Sequence, residues 1–415
     1  MTSTTSASND VAHKPALDFL RYLGPGMIVA VGFIDPGNWA ANLAAGAQFG
    51  YKLLWAVALA TLVLTVLQHN AARLGIITGK CLSENATAHL NKYLSRFILG
   101  TAMLAAISTS LAFNLGSALA LQMLFHLPLQ VGAVLSGGLT VWLLFSNSYR
   151  RIEKIIMGFI ALIGLSFLVE LWLSPVDWGG VGTGLAVPSL PSGSVLIVLS
   201  IIGSVVMPHN LFLHSEVIQS RQWNLENDEV IKKQLKYELT DTVFSMVVGW
   251  VINSAMIVLA AALFFTKGVA VTELAQAQEL LRPLLGNAAA VIFALALLLA
   301  GIASSLTAGM AGGSILAGMF GEPYDTKHPH SKAGVLVTIV LGVAIVFLVH
   351  NPFDALVYSQ VALAAQLIIT IALVIYLTAS TKVMGRFRNT RLTNVILVVI
   401  AVFVAALNVL LLVAP

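Results

Sequence analysis

The sequence predicts an all-α integral membrane protein of about eleven transmembrane helices, two sets of five in opposite orientation plus one extra helix. Three observations predict it. Of 415 residues, 58% are hydrophobic and only 10% charged, against roughly 25% charged in a typical soluble domain. Apolar runs of about 20 residues, enough to cross a bilayer, recur along the whole chain. The first helix of each set is interrupted by a proline among polar side chains, at Asp35-Pro36-Gly37-Asn38 and again at Met207-Pro208-His209-Asn210.

In chain order, Met1–Lys14 is polar, lacks an apolar core and shows no cleavage site, so it reads as part of a short disordered tail over 1–20, not a signal peptide. One polytopic domain is expected over 21–415. Its spans are expected at 22–48 (broken at Asp35), 52–76, 97–126, 128–146 and 153–174. The second set is expected at 195–219 (broken at Pro208), 240–265, 286–319, 333–350 and 355–380, with the extra helix at 392–413. Between Arg96 and Arg150 there is no formal charge, and His126-Leu127-Pro128 is the plausible turn, which makes this stretch a helical hairpin. The repeats run over about 21–175 and 195–380. An odd number of helices per set forces the two sets into opposite orientations.

The distribution of lysine and arginine fixes the expected topology. With the N-terminus in the cytoplasm, only Lys52, Lys267 and Arg282 of the 22 basic residues fall outside cytoplasmic segments. Pro415 is then extracellular and the expected location is the cell membrane. The net charge of +4 reflects this topology; nucleic-acid binding is excluded as its explanation. The single Cys81 excludes a disulfide framework.

The breaks carry the chemistry. A carboxylate near the bilayer midplane costs several kcal/mol, so Asp35 marks function. Pro36 and Gly37 break the helix and leave backbone carbonyls beside it, and Pro208 does the same in the sixth helix. One such proline is an ordinary kink. Two at corresponding positions, each beside ligand-type side chains, point to an inverted-repeat transporter with its site between discontinuous helices.

These motifs carry a resemblance. Gly24-Pro25, Val29 to Trp39 through Asp35-Pro36-Gly37-Asn38, Gly46 to Trp55, Met207 to Asn210 with Leu213-His214-Ser215, and the late Arg391 to Asn394 and Ala406-Leu407-Asn408 together resemble the Nramp family of divalent-metal transporters. The resemblance runs from Arg21 onward. It implies the LeuT-like fold, a manganese- or iron-type substrate, and a metal held by Asp35, Asn38, Met207 and the backbone carbonyl of Ser204, where the family commonly has alanine. It also implies that Gln360 closes over the ion in occluded states.

The donor set agrees with that substrate class. Magnesium and calcium prefer all-oxygen cages, whereas the Met207 thioether favours manganese, iron(II), cobalt or cadmium. His209, in the second break, is a proton-carrying candidate because imidazole titrates near neutral pH; its bland alternative is bonding to freed carbonyls. Asp35 is the other, since an arriving dication favours its ionised form. His214 reads as structural, His69 carries no reading, and His328 and His330 belong to a solvated loop. Glu170, Glu216 and Asp241 lie near expected helix ends, where snorkelling or pairing with loop cations is the ordinary account.

Helix three departs from the family pattern. Where proton-coupled members carry an Asp-Leu-Ala-Glu chain of acids, this sequence has Ser110-Leu111-Ala112-Phe113, with no carboxylate between Glu84 and Glu153. Ser331-Lys332-Ala333-Gly334 replaces the arginines of helix nine, and Ala303 stands where a glutamine ordinarily precedes Ser304 and Ser305. The expectation is therefore a secondary importer of divalent transition metals, manganese foremost, with weak or altered proton coupling. The alternatives are a magnesium or broad-specificity uncoupled relative, and a transporter-like metal sensor. There is no phosphate-binding loop and no catalytic constellation, so neither a pump nor an enzyme is expected. Metal ions, protons and the bilayer are the expected partners, with no resident cofactor and no obligate protein partner.

Overall fold

The computed structural model describes residues 35–146, 164–219, 227–269, 271–280, 282 and 286–413. The N-terminal tail, the first part of span one (22–34) and the first half of span five (153–163) lie outside the described residues. Within them the chain is helical, with eight segments long and apolar enough to cross a membrane and two shorter apolar helices.

The first repeat comprises α1 (Pro36–Phe49), α2 (Leu54–Thr78), α3 (Leu82–His89), α4 (Lys92–Phe125), α5 (Leu129–Phe145) and α6 (Gly164–Leu173). A short extramembrane helix α7 (Trp178–Ala186) follows. The second repeat comprises α8 (Val195–Val205), α9 (Pro208–Gln219), α10 (Asp228–Leu263), α11 (Ala289–Met319), α12 (Pro329–Val346) and α13 (Pro352–Ala379); the extra helix is α14 (Arg391–Val413). The second break falls where Pro208 places it, with α8 and α9 separate helices flanking Val206 and Met207, and α1 opens at Pro36; the part of span one before Asp35 lies outside the described residues. The α4–α5 hairpin turns at His126, which takes the left-handed conformation, φ 56°.

Local chemistry moves some boundaries. Asn91 caps α4 and starts it at Lys92, not 97. Asn227 caps α10, which begins at Asp228 and carries a polar stretch ahead of the apolar run expected from 240. The helices α3 and α7 were not expected, because short polar or glycine-rich helices give no hydropathy signal. The snorkelling account of the three acids is corrected: Glu170, Glu216 and Asp241 are all buried in the protein.

Small residues set the helix contacts, as bilayers favour. In the group formed by α4, α5, α11 and α12, a Cβ on Gly301 of α11 would fall 2.2 Å from Ser117 Oγ of α4. A Cβ on Gly342 of α12 would fall 2.5 Å from Ser110 Oγ. On Gly334 it would fall 2.4 Å from the Gly312 carbonyl oxygen, which is backbone and cannot swing away. Gly334→Val should therefore push α12 off α11 and destabilise the fold by about 1–3 kcal/mol, the usual cost of overpacking. Thermal unfolding in detergent checks this, with Gly138→Val as control because that glycine faces open space. The second group, α1, α2, α8, α9 and α10, meets the first at Trp39, whose ring lies 5.3 Å from Phe293 of α11 and 6.2 Å from Phe167 of α6.

Candidate metal centre

Asp35 is the N-cap of α1, with extended backbone (φ −121°, ψ 166°). Its Oδ1 accepts hydrogen bonds from the backbone N–H groups of Gly37 (2.7 Å) and Asn38 (3.0 Å). The helix N-terminus favours a negative charge at this position. Oδ2 is buried and has no hydrogen-bond partner among the described residues. One oxygen builds the helix, and the other is left for a ligand.

Asn38, on the first turn of α1, joins the two breaks. Its Oδ1 accepts from Ser204 Oγ on the last turn of α8 at 3.2 Å, and from Asn42 Nδ2 at 3.1 Å. Asn42 Nδ2 also donates to Asn253 Oδ1 of α10 at 2.7 Å. The carbonyl of Ser204 would ordinarily bond to the N–H four residues on, but that residue is Pro208, which has none. The proline thus frees the very carbonyl that the resemblance assigns to the metal. Met207 is fully buried in the break, three residues past Ser204, and its sulfur accepts from Asn210 Nδ2 at 3.4 Å.

Gln360 of α13 reaches both breaks. A Cβ on Gly37 would fall 2.1 Å from Gln360 Nε2, and one on Gly203 would fall 1.8 Å from the Gln360 carbonyl oxygen. Only glycine at these two positions lets α13 come so close. The Gln360 amide donates to Ser359 Oγ at 3.0 Å, while its Oε1 is buried and unpartnered among the described residues. Hydrogen bonds thus join Asp35, Asn38 and Ser204, Gln360 lies against the neighbouring Gly37 and Gly203, and Met207 follows three residues after Ser204 in the chain. Sequence reading missed Asn42 and Asn253. Asn42 stands one turn beyond Asn38, and Asn253 is a lone amide inside the apolar run of α10, which is the signal that could have found it.

Among the described residues, the His209 side chain makes no hydrogen bond to a freed carbonyl. Its Nδ1 meets Thr109 Oγ1 of α4 at 3.2 Å, and its Nε2 is buried without a partner among the described residues. Near Thr109, the positions expected to hold acids form a neutral network: Asn114 Nδ2 donates to Ser110 Oγ at 3.1 Å, and Ser136 Oγ donates to Asn114 Oδ1 at 3.2 Å. Phe113 is fully buried. His330 pairs with Glu322 at 2.9 Å and stacks on Phe320, and His328 lies 3.6 Å from Asp325, as suits a solvated loop.

One further cluster of ligand-type groups lies at the other end of α9. Cys81 Sγ and the carboxylates of Glu84 and Glu216 lie within 4.8 Å of one another, all buried. Burial pushes the Cys81 thiol up, and both carboxylates push it the same way, so it stays a thiol. The Cys81 N–H donates to Glu84 Oε2 at 2.9 Å and Ser314 Oγ donates to Glu216 Oε2 at 3.2 Å, a hydrogen-bonded joint between α3, α9 and α11.

A helix that opens at Asp35-Pro36 and a second that is broken at Met207-Pro208, meeting at a buried, partly unpartnered polar cluster, fit a membrane transporter of the LeuT-like class. The chain belongs to the Nramp family: the profile described as "Natural resistance-associated macrophage protein-like" matches residues 26–414. It is 36% identical over 400 residues to the divalent metal cation transporter MntH of Caldanaerobacter subterraneus subsp. tengcongensis, covering 95% of this chain and 93% of that protein. It is 34% identical over 394 residues to the natural resistance-associated macrophage protein 2 homolog of Dictyostelium discoideum, covering 93% and 62%. Among solved structures, the Eremococcus coleocola manganese transporter matches with a TM-score of 0.78 and 27% identity, covering 96% of this chain and 87% of that one. The nucleobase-cation-symport-1 family transporter Mhp1 matches with a TM-score of 0.63 at 18% identity, a likeness of fold alone.

Proposed function

We propose that this protein imports divalent transition-metal ions, manganese foremost with iron(II) and cadmium as further substrates, by alternating access in the cell membrane. The N-terminus and the basic loops face the cytoplasm. The Asn38–Ser204 contact carries this reading, because it joins α1 to the second break beside a carboxylate oxygen and an amide oxygen that lack hydrogen-bond partners among the described residues. Asp35 supplies the charge, Asn38, the Ser204 carbonyl and Gln360 supply neutral oxygens, and Met207 supplies the soft donor. The names of the relatives support the substrate class, since they are divalent metal cation and manganese transporters.

Proton coupling is altered. The neutral network around Ser110 and Asn114 offers no carboxylate to take a proton away from the metal along α4. That same network favours a second reading, an uncoupled magnesium or broad-specificity carrier, against which the Met207 thioether stands. Uptake into proteoliposomes, with manganese and magnesium in parallel and a pH dye inside, separates the two. Manganese uptake that a tenfold excess of magnesium leaves standing is expected; magnesium uptake at comparable rates would favour the second reading.

A further inference from the structure

The side-chain oxygen that Asn38 would offer an ion already carries two donors. Asn38 Oδ1 accepts from Ser204 Oγ of α8 at 3.2 Å and from Asn42 Nδ2 of α1 at 3.1 Å. An amide oxygen has two lone pairs, so both are occupied. Asn38, Asn42 and Ser204 are all fully buried, which leaves no bulk water to take the place of a lost partner. An ion that binds Oδ1 therefore displaces one of the two donors.

The two donors are not held alike. Asn42 stands four residues after Asn38 on the same helix, so their bond stays intact when α1 moves against its neighbours. Its amide hydrogens are both committed, the second to Asn253 Oδ1 of α10 at 2.7 Å. The Ser204 hydroxyl has a single hydrogen and two acceptors within reach. One is Asn38 Oδ1; the other is the Ile201 carbonyl of its own helix, at 3.0 Å. Rotation about its C–O bond exchanges the first for the second, and the hydroxyl stays satisfied. Ser204 is also the donor that comes from a different helix, so its bond ties α8 to α1. The displaceable donor is Ser204.

We propose that the Ser204 hydroxyl is a clasp that competes with the ion for Asn38 Oδ1 and so sets the affinity of the metal centre. With its hydrogen on Asn38, the clasp holds α1 to α8 and covers the oxygen. When an ion takes that lone pair, the hydrogen turns to the Ile201 carbonyl and the tie between the helices opens. One hydrogen bond gives way to one metal–oxygen contact, with no proton transferred and no charge moved. Ser204 thereby acts twice, its backbone carbonyl toward the ion and its side chain against it. The cost of opening the clasp belongs to the protein and is the same for every ion, so it lowers affinity without changing rank; ranking is left to Met207. The clasp rests on the transport reading above, which puts the ion at Asn38, but its test separates the two.

The experiment is calorimetric titration of the full-length protein in detergent with manganese and, separately, cadmium, for the wild type, Ser204→Ala and Ser200→Ala. Alanine is smaller than serine and a better helix former, and Asn38 Oδ1 keeps Asn42, so the first variant folds and leaves that oxygen with a partner. Ser204→Ala should bind each ion about threefold to tenfold more tightly, the effect of one neutral hydrogen bond that no longer opposes the ion. A serine that only packs or braces the helices predicts no gain, because loosening a site does not tighten its binding. Ser200→Ala deletes another buried hydroxyl of α8, one that donates to the Val357 carbonyl of α13 at 3.3 Å, and should leave both constants unchanged. Equal or weaker binding by Ser204→Ala, a gain confined to one ion, or the same gain in Ser200→Ala would overturn the clasp. Weaker binding would make the hydroxyl itself a ligand of the ion. If the wild type binds neither ion, the metal centre is misplaced and the transport reading fails with it.

Discussion

Asp35→Ala should abolish manganese uptake, by more than about a hundred-fold, since even a residue that only supports a metal ligand costs up to that much. Two effects are mixed in that variant. Alanine removes the charge, and it also removes the acceptor that caps α1 through Gly37 and Asn38. Asp35→Asn separates them, because asparagine caps a helix as well as aspartate does but carries no charge. The expected result is a folded Asp35→Asn protein, with unfolding temperature near that of the wild type, that binds manganese too weakly for titration calorimetry to detect. If Asp35→Asn transports at the wild-type rate, the carboxylate is only a helix cap and the metal is held elsewhere.

How much of this was legible in the sequence follows from the range of the forces involved. The two breaks were legible because proline and glycine act on their own backbone, whatever surrounds them. Span lengths were legible because the bilayer imposes one. The start of α10 was not, because Asn227 caps a polar stretch that hydropathy cannot see. The amide network around Asn38 was half legible: Asn42 follows from helical spacing, but Asn253, the second partner of Asn42, stands 211 residues away from it and only packing brings it there. Glu238 and His69 show the same limit. Each looks unremarkable in sequence, 169 residues apart, and their 2.6 Å contact appears only when α2 and α10 lie side by side. The departures in helix three were legible as missing acids. What fills their place, a neutral network closed by Gly342 against Ser110, was not.

Met207→Ala should change which ions the protein accepts more than how fast it works. The thioether is the one donor in the proposed set that magnesium and calcium do not favour, so it is where discrimination against these abundant ions would reside. Removing it should leave manganese uptake measurable while calcium or magnesium begins to compete, a loss of selectivity of about tenfold for each 1.4 kcal/mol of differential binding. The substitution also empties a fully buried position, and truncating a buried methionine costs about 2–5 kcal/mol in stability by itself. Met207→Leu is therefore the sharper variant, since it keeps the volume, costs less than about 1.5 kcal/mol, and deletes only the sulfur. The Asn210 amide occupies one side of that sulfur at 3.4 Å, which fixes its position and leaves its other lone pair for an ion. Competition assays with manganese against calcium and magnesium decide the matter. If Met207→Leu ranks the ions as the wild type does, the sulfur only packs against Asn210, and the magnesium or broad-specificity reading becomes the better account of this transporter.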